Sequence, residues 1–351
     1  MSDPGKRPVA ADNNAASSEA DAIARISDMM QKKLREDTAA GERMPRDAHP
    51  KAHGLVQAEF TVAENLPDEL RVGVFAQPVS FPAWIRYSNG APRSATQKPD
   101  ASNDVRGVGI KLMGVAGEKV LADEKEAMTQ DFLLCNHPVF FIRNVPDYEV
   151  FLKATSGGNP LPFFFSLWPF KIRFHEAKVL VQALFKKVSS PLAIRYWSQT
   201  PYALGDRAVK YSLQPSSTYN EPVLSKADQA DADYLRHTMA KELGATDVYL
   251  DFMVQLQDAD RAQMPVDDPT ILWSEEQSPF IKVATIRIPC QKFDTAARNQ
   301  LAEDLSFTPW HSLPEHQPLG GINRTRRVVY ETISRLRHTV NGVMRKEPSG
   351  F

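Results

Sequence analysis

Between residues 55 and 289 the sequence divides into eight short runs rich in β-branched and aromatic residues, and this division constrains the fold more than any other feature. The runs are LVQAEFTV, AWIRYSNG, VRGVGIKLMG, DFLLCNHPVFFIRN, AIRYWSQTPYALG, AVKYSLQP, VYLDFMVQLQD and FIKVATIRIP, each bounded by Gly, Pro, Asn or Asp. In the seventh, Leu250, Phe252, Val254 and Leu256 share one face opposite Asp251 and Gln255, the two-residue period of a half-buried strand. Eight strands of this kind suffice to close a barrel.

Helical periodicity interrupts and follows the strands at 148–153, 171–187, 225–242, 295–305 and 323–343. Strands and helices come in blocks rather than in strict alternation, which predicts an α+β fold. Ahead of the strands, Ile23, Ile26, Met29, Met30 and Leu34 predict an amphipathic helix over 17–35, capped by Ser17 or Ser18. Residues 1–16 offer too little apolar surface to order and are expected to be a disordered tail, leaving 17–345 as one domain.

A formal net charge of -1 gives no pull toward nucleic acid, and no run reaches the roughly 20 apolar residues that span a bilayer. Cys135 and Cys290 are the only cysteines; both lie in apolar runs and are expected to be buried thiols of a cytoplasmic protein. Chemistry must therefore come from local constellations, of which four stand out.

In NRTRRVVYETISRLRH, Arg326 and Arg327 lie one helical turn from Tyr330. A tyrosine that acts as an anionic ligand at neutral pH needs a nearby positive charge or metal, which an Arg-xxx-Tyr pair supplies; the same spacing also arises from an arginine stacked on a surface tyrosine. His49, in RDAHPKAHG, sits on a loop stiffened by Pro50 and is a candidate general base and acid, with His53 a competitor. Asn136, in CNHPVFFIRN, must hydrogen-bond something once buried, either a backbone group or a small polar ligand. Arg46, Arg86, Arg106, Arg143 and Arg337 form the fourth group; Arg86, on an apolar strand, implies an anionic partner if buried, or else lies on the solvent face of a half-buried strand. His316 and Gln317, beside the turn PLGG, have only turn polarity to explain them.

Taken in order, these stretches resemble the haem catalase family. RDAHPKAHG is similar to its distal-histidine loop, WIRYSNG and DVRGVGIKLMG to its RFS and DxRGxAxK strand pair, CNHPVFFIRN to its NxPxFFIRD segment, and RTRRVVY to its RxxxY proximal helix. The resemblance implies an antiparallel eight-stranded β-barrel with surrounding helices and a haem buried beside the barrel. It makes Tyr330 the axial ligand of a ferric haem, expected to be haem b, with Arg326 keeping that ligand ionised. By the same resemblance His49 is the distal acid/base, Ser88 orients its ring and Asn136 holds peroxide. Arg46, Arg86 and Arg337 match the arginines of the haem propionates; Tyr148 matches an aromatic stacked on the porphyrin, and Phe151 one near the distal pocket.

The departures bear on activity. The family's C-terminal helical domain and nicotinamide-dinucleotide site are not evident, Ala48 stands before the distal histidine where bulkier valine or threonine is usual, and WHSLPEHQPLGGINR is most like small catalase-related bacterial haem proteins. The expected function is thus a haem peroxidase acting on hydrogen peroxide or organic hydroperoxides through an oxoferryl intermediate, with weak or no catalase activity. The alternatives are a true catalase, a hydroperoxide-rearranging enzyme of allene oxide synthase type, and a non-catalytic haem-binding protein. Its expected partners are a peroxide and an unidentified reductant, without nucleic acid or membrane span, in a chain able to form homo-oligomers.

Overall fold

A computed structural model describes residues 13–90, 98–156, 159–167, 170–258 and 262–351. The chain runs α1 (Asn13–Glu36), β1 (Ala52–Val62), β2 (Ser80–Asn89), β3 (Arg106–Met113), β4 (Thr129–Cys135), α2 (Val145–Ser156), α3 (Leu161–Phe164), β5 (Phe165–Leu167) and β6 (Phe170–Ile172). It continues with α4 (Phe174–Leu184), β7 (Tyr196–Trp197), β8 (Tyr202–Leu204), β9 (Arg207–Pro215), α5 (Lys226–Ala230) and α6 (Tyr234–Leu243). Last come β10 (Val248–Leu256), β11 (Ile281–Ile288), α7 (Ala296–Asp304) and α8 (Gly321–Asn341).

Strands pair in the order β10-β11-β1-β2-β3-β4-β7-β9, and β9 pairs back onto β10, so eight antiparallel strands close on themselves as the eight apolar runs predict. Closure leaves no sheet edge in the barrel wall. The fifth run, expected as one strand, is two: Gln199 at φ 63 and Pro201 interrupt it, β7 completes the barrel and β8 forms a hairpin with β9. Two of the expected helical spans also change. Residues 225–242 break into α5 and α6 where Asp231 accepts the Asp233 N–H at 2.9 Å, and 171–187 begins as β6 before α4 starts at Phe174.

The first helix starts four residues before Ser17, so neither serine caps it and residues 13–16 of the expected tail are helical. Ala15 and Ala16 are the best helix formers and extend a helix already anchored by packing. The rest of that tail, residues 1–12, lies outside the described residues. Cys290 departs from expectation too: it follows β11, is exposed and donates its N–H to Asp247 at 2.8 Å, while Cys135 is half-buried.

Inside the barrel, Phe60, Phe132, Tyr211 and Phe252 pack edge to face and tilted, with Phe132–Phe252 centroids 4.9 Å and Phe132–Tyr211 5.0 Å apart. Each buried ring contributes roughly 1.5–3 kcal/mol. His316 is wholly buried among them: its Nε2 accepts the Val74 N–H at 2.9 Å and its Nδ1 lies 3.0 Å from the Tyr211 hydroxyl. Burial lowers its pKa to about 3, so the ring is neutral. The turn that meets it needs glycine, since Gly73 has φ +58 and a Cβ there would stand 2.2 Å from His316 Nε2. The residue with only turn polarity in the sequence is thus a plug of the barrel.

Outside, α1, α2 and α8 form a helical layer around Ile26, Val145, Val329, Ile333 and Leu336. Arg25 on α1 forks onto Glu149 on α2 at 2.8 and 3.0 Å, and Arg324 on α8 reaches Glu19 on α1. The Trp310 indole donates to the Asn323 carbonyl at 2.8 Å and the Asn323 amide to Pro201 at 2.9 Å, tying the start of α8 to the loop after β7.

Candidate active site

The site is built on the outer wall of β2, β3 and β4. His49, in the loop entering β1, has φ 58, left-handed geometry in a residue that precedes proline and so ordinarily runs extended. Such a conformation costs about 1–3 kcal/mol and persists only where surroundings hold it. Here Ser88 on β2 does so, its Oγ 3.1 Å from His49 Nδ1. Beneath the ring lies Gly107 on β3: a Cβ there would come within 2.3 Å of His49 Cε1, so glycine makes the space the imidazole occupies. Burial first, then the charges of Arg86, Arg326 and Arg46, lower His49 to about pKa 4. At neutral pH the ring is therefore uncharged and able to take a proton.

Asn136, 1% exposed, directly follows β4, and its Oδ1 accepts the Arg106 N–H at 2.8 Å. Its Nδ2 is buried with no hydrogen-bond partner among the described residues. The oxygen thus satisfies a backbone group, while the amide is left without a partner. His53 is not part of the site; it is buried in β1, with Nε2 2.7 Å from Asn89 Oδ1.

Arg46, Arg86 and Arg337 converge on α7. Arg46 donates to the Ala302 carbonyl at 2.9 Å and Arg337 to that of Glu303 at 2.7 Å, using carbonyls the end of α7 leaves open. Arg86 Nη2 lies 3.3 Å from Glu303 Oε1, and Arg337 is 4.0 Å from its other oxygen. Burial raises the Glu303 pKa, but the three guanidinium groups outweigh it and hold the carboxyl below its usual range. The Nε atoms of all three arginines are buried without partners among the described residues. Glu303 thus faces three cations, with Asp304 a further negative charge near Arg46 and Arg337, and the arginines keep donors to spare. Arg106 and Arg143 stand apart: the Arg106 side chain donates to Asp100 O at 2.7 Å, and Arg143 bridges Glu176 and Asp268.

On α8, the Arg326 guanidinium carbon lies 5.3 Å from the Tyr330 ring centre, and Arg326 also donates to Asn323 Oδ1 at 3.2 Å. Tyr330 is half-buried and packs with Tyr148 of α2 against the α1–α2–α8 cluster. Burial raises the Tyr148 phenol well above its ordinary pKa, keeping it neutral. Arg46 and Arg326 are within electrostatic reach of both His49 and Tyr330, so the loop imidazole and the helix phenol share one charged neighbourhood. Phe151 is one ring in a row, 5.0 Å from Phe141 and 5.3 Å from Phe163.

A family model described as Catalase matches residues 4–342. The chain belongs to the catalase family. Its fold is similar to a fungal catalase (16% identity, TM-score 0.64, 85% of this chain on 60% of that one) and a bacterial catalase (16%, 0.60, 95% on 62%). It is also similar to catalase A from Saccharomyces cerevisiae (16%, 0.66, 97% on 69%). The chain spans about three-fifths of the length of the first two. None of the curated proteins compared with it matches.

Haem is the cofactor of the catalase family. The residues present fit it. The three spare guanidinium Nε atoms suit a group that brings carboxylates, the orphan Asn136 amide suits a small ligand beside it, and a phenol flanked by Arg326 suits ferric iron. Sequence reasoning did not single out two residues of this neighbourhood, Glu303 and Gly107. Glu303 gives no local signal, because its role comes from three arginines at 34 to 257 residues' distance. Gly107 does lie in RGVG, where a glycine inside a strand marks a close approach.

Proposed function

We propose that this chain is a haem peroxidase that reduces hydrogen peroxide or organic hydroperoxides. Tyr330 would hold the iron, with the Arg326 charge complementing an anionic oxygen ligand, and Arg46, Arg86 and Arg337 would meet the propionates. Bound haem would supply the two electrons that reductive cleavage of the peroxide O–O bond requires, and the reducing substrate would restore them. Around it, His49 does the proton work. With Nδ1–H donating to Ser88 Oγ, Nε2 carries the free lone pair, takes a proton from one peroxide oxygen and returns it to the other, which leaves as water or alcohol. The free Asn136 Nδ2 donates to the peroxide and fixes its orientation.

The observation that supports this reading is a neutral, Ser88-held imidazole over Gly107, whose strand partner Cys135 is followed by the unpaired buried amide of Asn136: a protein that merely stores haem needs neither. Peroxidase rather than catalase turnover is favoured by Ala48, whose small, exposed side chain leaves more room beside His49 for an organic peroxide or reductant. The test is the absorption spectrum of haem-supplemented wild type against Tyr330→Phe, followed by peroxide turnover of His49→Ala. A high-spin ferric spectrum that changes in the tyrosine variant, with turnover lost in the histidine variant, is expected. A spectrum indifferent to Tyr330 would remove the iron assignment, and unchanged turnover without His49 would remove the mechanism.

A further inference from the structure

Residues 161–187 hold seven of the seventeen exposed large hydrophobic side chains among the described residues, including Phe170 at 74%, Phe174 at 68% and Phe185 at 64% exposure. They form a continuous face. β5 and β6 pair antiparallel with Phe165 opposite Ile172, and the Phe165 and Phe174 rings meet edge to face at 6.1 Å. On α4, Phe174, Lys178, Val181 and Phe185 recur at helical spacing on the solvent side, while Glu176, Val179 and Ala183 are buried on the other. A patch of this size is unusual on a surface that meets only water.

Charge says what covers it. Between residues 161 and 187 the exposed Lys178 and Lys187 flank the face; Lys171 and the buried Arg173 share Asp147 at 3.1 and 2.8 Å, Lys186 donates to the Asn136 carbonyl, and the one acid of the span, Glu176, is buried and bonded to Arg143 at 3.2 Å, so the surface stays basic. Exposed aromatics rimmed by lysines are the composition of a surface that lies in the headgroup region of an anionic bilayer, where apolar burial and attraction to lipid phosphate add. Two copies of the chain joined through this face would instead bring lysines of like sign together.

We propose that β6 and the outer face of α4 dock this protein on an anionic lipid surface, with Phe170, Phe174 and Phe185 entering the acyl boundary and Lys178 and Lys187 meeting phosphates. No helix of the described residues is long and apolar enough to cross a membrane, so the attachment is peripheral and reversible. The patch joins α2 through Phe163 and Phe151. Docking itself does not depend on peroxide chemistry.

The experiment is flotation of the full chain with phosphatidylcholine vesicles, alone or with about 30% phosphatidylglycerol, at low and high salt. Binding to the anionic vesicles should exceed binding to the neutral ones by about tenfold or more and fall with salt. The pairs Phe170→Ser with Phe174→Ser, and Lys178→Glu with Lys187→Glu, should each weaken it at least about tenfold with unchanged melting, since all four side chains are exposed. Absence of binding to anionic vesicles, or binding that ignores both pairs, overturns the proposal. So does a wild type that ignores vesicles but runs as a dimer dissociated by the phenylalanine pair, which would make a second copy the occupant.

Discussion

Gly107→Ala isolates the geometry on which the proposed chemistry depends. The added methyl would stand 2.3 Å from His49 Cε1 and 2.5 Å from Nδ1, whereas carbon atoms in contact sit about 3.5–4.0 Å apart. The ring must retreat by about 1 Å or more, and it can, because it is the end of a side chain on a loop. That retreat breaks its 3.1 Å contact with Ser88. A displacement of about 1 Å in a positioned catalytic group costs on the order of 10²-fold in rate, or about 2.7 kcal/mol of barrier. The fold should not suffer: Gly107 has no left-handed backbone, and alanine in its place restricts the unfolded chain. Stopped-flow mixing of the haem-loaded variant with peroxide should show the loss at wild-type haem content and melting temperature. Ser88→Ala, which removes the hydrogen bond without adding bulk, should lose roughly tenfold. A Gly107→Ala enzyme within about threefold of wild type would refute the placement of His49 as the proton carrier.

The peroxide rate should be flat with pH above about 5 and fall by half near pH 4, where His49 takes up a proton and ceases to be a base; a midpoint near 6.5 would contradict the burial that lowers it. Stability should follow a related course. His53 and His137 at about 4 and His316 at about 3 bind protons less readily than in the unfolded chain. Each therefore costs stability as pH falls below about 6.5, on the order of 3 kcal/mol for His53. His311 acts oppositely: raised to about 8 by Asp131 and Glu347 against its burial, it adds stability that is lost as pH rises through 8, so melting temperature should peak between about 6.5 and 8. Glu303→Gln should lower the melting temperature of the haem-free protein and enlarge the rise on adding haem, because Arg86 and Arg337 would lose the Glu303 carboxylate and the propionates would replace it; equal haem-induced shifts would sink that role. Lys111→Met should cost about 3–5 kcal/mol in denaturant unfolding, since wholly buried Lys111 answers Asp131 at 2.7 Å and Glu347 at 2.5 Å; a loss under about 1 kcal/mol would show the carboxylates find other partners.

Much of the fold was legible locally. The eight apolar runs became the barrel strands because alternation and flanking turns specify strands without reference to distant sequence, and β10 keeps the face assigned to Leu250, Phe252 and Val254. The breaks were less legible. Nothing in 225–242 announces that Asp231 will cap a turn rather than continue a helix, and the fifth run reads as one strand until Gln199 is forced to positive φ. Cys290 looked buried because the run before it is apolar, yet it stands two residues beyond Ile288, the buried last residue of β11, and is exposed.

The sequence by itself determined the chemical inventory: which strands could form, the Arg-xxx-Tyr face of α8, the histidine before Pro50, the buried-side arginines, and through their order the catalase family. These are short-range facts, fixed by spacing within a strand, a turn or a helix. Only the tertiary structure decided which of them meet. It closed the barrel, set Ser88 and Gly107 beside His49, placed Glu303 among three arginines, and put His316 inside the barrel rather than on a turn. It also turned the aromatic face of 161–187 outward. Each of these depends on contacts between residues tens to hundreds of positions apart, whose energy comes from shared burial and shared charge, and no local pattern encodes a partner that the fold has yet to bring near.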